Sequence, residues 1–124
     1  MDITWFNERP KDSVVTLTSG NLTLNKPASQ FFAHAYSVML GYNKDTAQIF
    51  IKPLNKEQAL QNVDPGTRRY RITVRSTYAR VTNKAYMKEM DELFQLKLSD
   101  EGRKYKAHWD DKTRILVVHL KEEM

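Results

Sequence analysis

Two stretches of this chain share one order of expected secondary-structure elements, and that order constrains the fold more than any other feature. At an offset of 58 residues, positions 18–27 align with positions 76–85, and an Asn-Lys pair coincides. At an offset of 66, positions 48–54 align with positions 114–120, so the second stretch carries about eight inserted residues. Each stretch predicts the order β-β-α-β-β.

In the first stretch the pattern is carried by β-branched residues, turn residues and a helix cap. Positions 14–18 predict a strand, and Gly20 and Asn21 predict the turn that follows it. Asn25 is expected to cap a helix whose first turn contains Pro27 and which continues through Phe31, Phe32 and Ala35. Two alternating strands, at 38–42 and 48–52, are then joined by a turn.

The second stretch repeats these signals with clearer periodicity. Positions 69–75 and 105–109 alternate as half-buried strands should, and 84–94 has helical spacing. The expected inner faces hold Tyr70, Ile72 and Val74 on the first strand, Tyr86, Met90, Leu93 and Phe94 on the helix, and Tyr105, Ala107 and Trp109 on the later strand.

These patterns predict one α+β domain, spanning residues 1–124, in which two pseudo-symmetric repeats form a single barrel core. Repeat one covers about 13–54, a linker covers 55–67, and repeat two covers about 68–120. Asn55 is expected to start a short helix in the linker, and Asp64-Pro65-Gly66 to form a turn. Trp5 and Phe6 predict that the first residues pack down on the domain.

Composition and missing motifs exclude several classes of function. The chain has no cysteine, which excludes disulfide frameworks, thiolate zinc sites and cysteine nucleophiles. It has no expected signal peptide or membrane span, which predicts a cytoplasmic protein without a membrane partner. No catalytic motif occurs, and the three histidines His34, His108 and His119 are scattered, so we predict no enzyme activity, no cofactor and no metal site.

The β-β-α-β-β unit, with a short strand running into a capped helix, resembles the SpoVT/AbrB family of swapped-hairpin half-barrels. Residues 15–26 look like that family's opening hairpin and strand-to-helix junction, and residues 47–53 look like its closing strand. Two copies in one chain are similar to the tandem MraZ-type members. The resemblance implies an interdigitated AbrB-like barrel with dimer-like symmetry, and DNA binding through arginines.

Positive charge is concentrated in one window of the chain. Between Pro65 and Lys88 there is no acidic residue. The window contains seven basic residues: Arg68, Arg69, Arg71, Arg75, Arg80, Lys84 and Lys88. Such a block attracts polyanions, and it also describes a solvated surface whose neutralising acids come from elsewhere in the fold.

The candidate nucleic-acid-binding residues are taken from this window and from its counterpart in repeat one. Alternation places Arg69, Arg71 and Arg75 on one strand face, where they could follow phosphates, and the alternative is a solvated strand face. Arg80 and Lys84 lie at a strand-to-helix junction, and Lys26 occupies the matching place in repeat one. Tyr78 is a candidate base or sugar contact.

The sequence therefore favours a small non-enzymatic DNA-binding protein, a transcriptional regulator that contacts duplex DNA through an arginine-rich strand. The alternative is a protein-interaction or structural module with no nucleic-acid role, in which the arginines only increase solubility. The internal symmetry fits either a pseudo-dimeric monomer or a homo-oligomer.

Overall fold

The computed structural model describes residues 2–6, 12–61 and 68–124, which form eight strands and three helices. The strands are β1 (Ser13–Leu17), β2 (Asn21–Leu24), β3 (Ser37–Asn43), β4 (Gln48–Leu54), β5 (Thr73–Val74), β6 (Ala79–Thr82), β7 (Arg103–Asp110) and β8 (Ile115–Glu123). The helices are α1 (Lys26–Gln30), α2 (Lys56–Leu60) and α3 (Lys84–Phe94). The fold is thus mixed α and β, as expected.

All eight strands belong to one antiparallel sheet with the order β3-β4-β8-β7-β1-β2-β6-β5. The sheet curls into a half-barrel whose two edges approach each other at Val38 and Tyr70. The backbone N–H of each of these residues donates to the carbonyl of the other at 2.8 Å. Curling encloses one face of the sheet and leaves the other face outside.

Strands from before and after the linker interleave within this sheet. The ladders β1–β7, β2–β6 and β4–β8 each join an early strand to a late one. Separating the two stretches would leave the backbone groups of three ladders unpaired, which is costly wherever they are buried. The two stretches therefore build one shared core.

The core lies on the enclosed face of the sheet and beneath α1 and α3. Its fully buried members alternate along the strands with outward side chains, as a period of two requires. The largest of them are Tyr105, Phe32, Leu17, Leu22, Leu24, Ile49, Ile51, Met87, Met90, Leu116, Val15 and Val38. The inward positions expected for Tyr70, Ile72, Val74, Tyr105, Ala107 and Trp109 are confirmed, since each belongs to this cluster or packs against it.

Asparagine caps begin all three helices in the described residues. The side-chain oxygen of Asn25 accepts from the Ala28 N–H at 3.2 Å, and that of Asn83 accepts from the Tyr86 N–H at 3.0 Å. Asn55 forms a capping box with Gln58. Each cap satisfies a helix N–H group that has no partner within the helix, so the predicted starts of the helices are confirmed.

The hairpin turns correct the alignment of the two stretches by one residue. Asn43 and Asp110 each accept from two backbone N–H groups of their own turn, and Ala47 and Arg114 close these turns with φ of 53° and 56°. The matching residues are 67 apart, whereas the sequence alignment used 66. A slip of one residue exchanges the two faces of a strand, and the corrected spacing pairs buried Ile49 with buried Leu116.

The first hairpins require a similar correction. The Thr18 N–H donates to the Asn21 carbonyl, and the Arg75 N–H donates to the Tyr78 carbonyl, at 2.9 and 2.8 Å. These turns are 57 residues apart rather than 58. The extra residue needed by an offset of 58 at Asn83 is Thr82, which lies between β6 and the cap.

Three segments differ from the expected elements. The strand expected over 69–75 is only Thr73–Val74, because the chain around Tyr70 pairs instead with the far edge of the sheet. The first helix ends at Gln30, and Phe31 and Phe32 lie in the turn that follows it. The expected turn Asp64-Pro65-Gly66 lies outside the described residues.

The expectation that Trp5 and Phe6 pack on the domain was wrong. Their side chains are 77% and 87% exposed, and Ile3 is 57% exposed. The apolar character of a short segment does not by itself provide a surface on which it can pack. Within the described residues, no helix has the length and apolar character needed to cross a bilayer.

Candidate nucleic-acid interface

The outer face of five neighbouring strands carries a cross-strand row of polar and basic side chains. The ladders join Thr16 to Lys104 and to Thr23, and join Arg80 to Thr23 and to Thr73. All five residues occupy positions that alternate with core residues, so they point away from the core. The row runs from β7 across β1, β2 and β6 to β5.

Basic side chains flank the threonines in the middle of this row. Lys104 and Lys106 are exposed on β7, on either side of buried Tyr105, and Arg80 is exposed on β6. Arg71 and Arg75 are exposed just before and just after β5. We call the surface formed by Arg71, Arg75, Arg80, Lys104 and Lys106 the basic face.

Arg80 is held at the centre of the basic face by two neighbours. Its Nε donates to the Thr23 hydroxyl at 3.2 Å, and its guanidinium carbon lies 5.2 Å from the centre of the Tyr78 ring. A cation over an aromatic face is attracted by the ring quadrupole. Tyr78, the predicted base or sugar contact, therefore lies beside Arg80 and restricts its orientation.

No acid neutralises the basic face in the part of the chain that the structure describes. None of its five cations lies within 4.0 Å of a carboxylate there. Glu123, on neighbouring β8, is held by Arg103 at 2.6 Å, and this hydrogen bond raises the pKa of Arg103. Asp100 accepts from the Ser19 hydroxyl at 3.2 Å, at the turn between β1 and β2.

Of the residues singled out from the sequence, the fold brings Arg71, Arg75 and Arg80 together but leaves Arg69 apart. Arg69 is half-buried, and its guanidinium donates to the backbone carbonyl of Gln61. Its Nε is buried and has no hydrogen-bond partner. Arg69 and Arg71 therefore do not present one continuous guanidinium row.

Lys26 and Lys84 lie at opposite ends of the β2–β6 ladder. Lys26 follows the Leu24 end of the ladder, and Lys84 follows the Thr82 end. Lys84 also passes the turn between β1 and β2, since a Cβ built on Gly20 would lie 3.7 Å from its Cγ. The two lysines cannot hold the same anion, and they extend the basic face in two directions instead.

Sequence reasoning missed Lys104 and Lys106. Their alternation with Tyr105 and Ala107 already indicated an outward position. Nothing in the sequence showed that β7 pairs with β1, which is the contact that places these lysines beside the threonines. Their contribution depends on that long-range pairing.

A second missed juxtaposition is the pair His108 and His119. Their rings stack with centres 4.7 Å apart, and the Gln48 amide lies 3.5 Å from Nδ1 of His119. His108 is exposed, as the alternation predicted. In the described residues, no group of three or more His, Cys, Asp or Glu side chains is arranged to hold a metal ion.

Comparisons with protein-family models, with curated proteins and with solved structures give no match to this chain.

Proposed function

We propose that this chain is a cytoplasmic, non-enzymatic protein that binds duplex DNA through its basic face and regulates transcription. The observation that carries the proposal is the set of five outward Arg and Lys residues with no carboxylate within 4.0 Å among the described residues. Cations that lack neutralising partners favour a polyanion, because binding releases counterions from phosphates. Arg69 is left out of the proposed contacts because its guanidinium is engaged.

The spacing of the basic face supports a duplex as the partner. Lys104 and Arg80 are separated by three strand-to-strand steps, which is about 14 Å. The major groove of B-DNA is about 12 Å wide, so long side chains at this separation reach phosphates on both of its walls. Thr16 and Thr23 lie between them and offer hydroxyls to the backbone or to base edges.

We propose further that the two β-β-α-β-β stretches form an interdigitated, AbrB-like pair. Thr23 and Arg80 face each other across β2–β6 and are 57 residues apart, the separation that relates the first hairpins. Phe50 and Val117 face each other across β4–β8 and are 67 apart, the separation that relates the second hairpins. A twofold axis that exchanges the stretches maps each of these pairs onto itself.

This symmetry favours a pseudo-dimeric monomer over a homo-oligomer. In the proposed arrangement, the ladders between the two stretches are already formed within one chain. A second chain is then not needed to complete the sheet. Light scattering after size-exclusion chromatography tests this, with the mass of one chain, 14.5 kDa, as the expected result.

The DNA proposal is tested by fluorescence anisotropy with a labelled duplex at several salt concentrations. Five neutralised phosphates give a slope of about −4.5 for log K against log salt, or a loss of about 500-fold from 50 to 200 mM. The triple variant Arg71→Gln, Arg75→Gln and Arg80→Gln should reduce the slope to about −1.8.

A charge-matched control separates the basic face from net charge. Lys44→Gln with Lys112→Gln removes two exposed turn lysines away from the basic face and should leave the slope unchanged. Absence of binding at 50 mM salt, or equal slopes for the triple variant and the wild type, contradicts the proposal. Circular dichroism checks that both variants fold.

A protein-interaction module is the second candidate, and the exposed segment before β1 favours it. Ile3, Trp5 and Phe6 present large apolar side chains to solvent, and such side chains in a cluster mark interaction surfaces. A pull-down that recovers a partner with the wild type but not with Trp5→Ser and Phe6→Ser, together with no DNA affinity, supports this second function.

A further inference from the structure

A cleft distinct from the basic face lies between the turn after α1, the end of β4, the start of α2 and the β7–β8 turn. Its volume is about 520 Å³, which falls within the usual range for small-molecule sites. The side chains that bear on its chemistry are Phe31, Trp109, Lys52, Arg114, Asn55 and Gln58.

One wall of the cleft is an aromatic stack. The rings of Phe31 and Trp109 are parallel to within 5°, with centres 4.7 Å apart, and Phe32 meets Trp109 edge-on at 6.2 Å. Phe32 is fully buried, whereas Phe31 remains 42% exposed. Packing therefore fixes the orientation of the stack while leaving aromatic surface open to a planar ligand.

Two cations border this aromatic wall. The guanidinium carbon of Arg114 lies 5.9 Å from the centre of the Trp109 ring, and the Arg114 side chain is 71% exposed. The Lys52 ammonium donates to the Thr113 carbonyl at 2.7 Å, which holds it near the β7–β8 turn. Asp111 is the acid of the lining, 4.0 Å from Arg114 and itself 89% exposed, so its attraction for Arg114 is screened by solvent.

The capping box of α2 supplies further donors. The side-chain oxygens of Asn55 and Gln58 accept backbone N–H groups at 2.7 and 3.0 Å. This pairing orients both amides so that their NH₂ groups are left to donate. The cleft thus combines an aromatic plane with cations and amide donors, a set that suits a planar ring bearing an anionic group.

From this arrangement we infer that the cleft binds a nucleoside monophosphate unit, with the base against Phe31 and Trp109 and the phosphate at Arg114 and Lys52. Base stacking on an aromatic side chain and charge-assisted hydrogen bonds to phosphate are the interactions that such a unit requires. A free nucleotide and an unpaired nucleotide of a nucleic-acid strand share this chemistry. The inference does not rest on duplex binding by the basic face.

The test uses the full chain in a Trp5→Phe background, so that Trp109 gives the remaining indole signal. Adenosine monophosphate and a short single-stranded oligonucleotide are titrated separately, by calorimetry and by the indole N–H resonance. We expect saturable binding of at least one of the two probes and a shift of the Trp109 resonance. Binding of the mononucleotide assigns the source to free nucleotides, and binding of the oligonucleotide alone assigns it to strands.

Matched variants test the two parts of the assignment. Phe31→Ala should weaken binding about fivefold or more through lost stacking, and Arg114→Gln about tenfold through the lost phosphate contact. Lys112→Gln, in the same turn but outside the lining, should leave affinity unchanged. No binding of either probe, equal affinity for adenosine and its monophosphate, or insensitivity to Arg114→Gln overturns the proposal. None of these outcomes bears on the duplex DNA test.

Discussion

Gly102 provides the sharpest test of how closely the chain packs behind the basic face. Its φ is +81°, and a Cβ at this position would lie 2.7 Å from Cγ2 of Thr16 and 3.3 Å from Cγ2 of Thr18. Gly102→Ala therefore forces an L side chain into a left-handed backbone and against a methyl group of a stiff, β-branched neighbour. The first effect costs about 1–2 kcal/mol and the second about 1–3 kcal/mol.

We expect Gly102→Ala to lower the free energy of unfolding by about 2–5 kcal/mol, which is a large share of the usual 5–15 kcal/mol. Urea denaturation followed by circular dichroism measures this loss as a lower midpoint at constant m. In a double-mutant cycle, Thr16→Ser removes the methyl and should recover about 1 kcal/mol or more, while the backbone cost stays.

Gly41→Ala is the matched control. A Cβ there lies 3.9 Å from the Phe50 ring, an ordinary contact, and Gly41 has no positive φ. We expect this variant to stay within about 1 kcal/mol of the wild type. If Gly102→Ala were as stable as Gly41→Ala, the reasoning from the close approach of Gly102 to Thr16 would be refuted.

Two further predictions concern titrating groups. The hydroxyl of Thr113 and two backbone N–H groups hold the pKa of Asp110 below its usual value, so this group stabilises the fold above the unfolded pKa and the stabilisation is lost as pH falls through the folded pKa. Asp110→Asn keeps the acceptor, as Asn43 does in the equivalent turn, and should flatten the acid dependence of the urea midpoint; an unchanged slope would refute this. Burial raises the pKa of Tyr86, whose hydroxyl donates to the Gly41 carbonyl at 2.7 Å, so its contribution is present below about pH 10 and is lost as pH rises above it. Tyr86→Phe should cost about 1–2 kcal/mol at neutral pH and weaken the alkaline dependence, measured by the same urea midpoints, and a variant as stable as the wild type would count against that hydrogen bond.

Local patterns in the sequence predicted the elements because their causes are local. Asn25, Asn55 and Asn83 have side chains that satisfy helix N–H groups only two or three residues away. The alternation around Tyr105 likewise predicted which residues of β7 are buried. The strand over 69–75 was overestimated because the edge residue Tyr70 pairs with Val38 instead, and a sequence pattern does not record its partner.

The candidate site divides in the same way. The acid-free window correctly drew attention to Arg71, Arg75 and Arg80, since their exposure follows from alternation with Ile72, Val74 and Ala79. Lys104 and Lys106 could not be grouped with them, because the pairing of β7 with β1 joins residues about 90 positions apart in the chain. The cleft beside Trp109 was unpredictable for the same reason, since Phe31 reaches it from the first stretch.

By itself the sequence determined the order of elements, the helix caps and the two faces of each strand, because these depend on contacts within a few residues. Tertiary structure alone decided that early and late strands interleave, that Arg69 turns away to Gln61 and that Lys104 stands across the sheet from Arg80. Those arrangements follow from which ladders bury the most apolar surface together, which is a property of the whole chain and not of any segment.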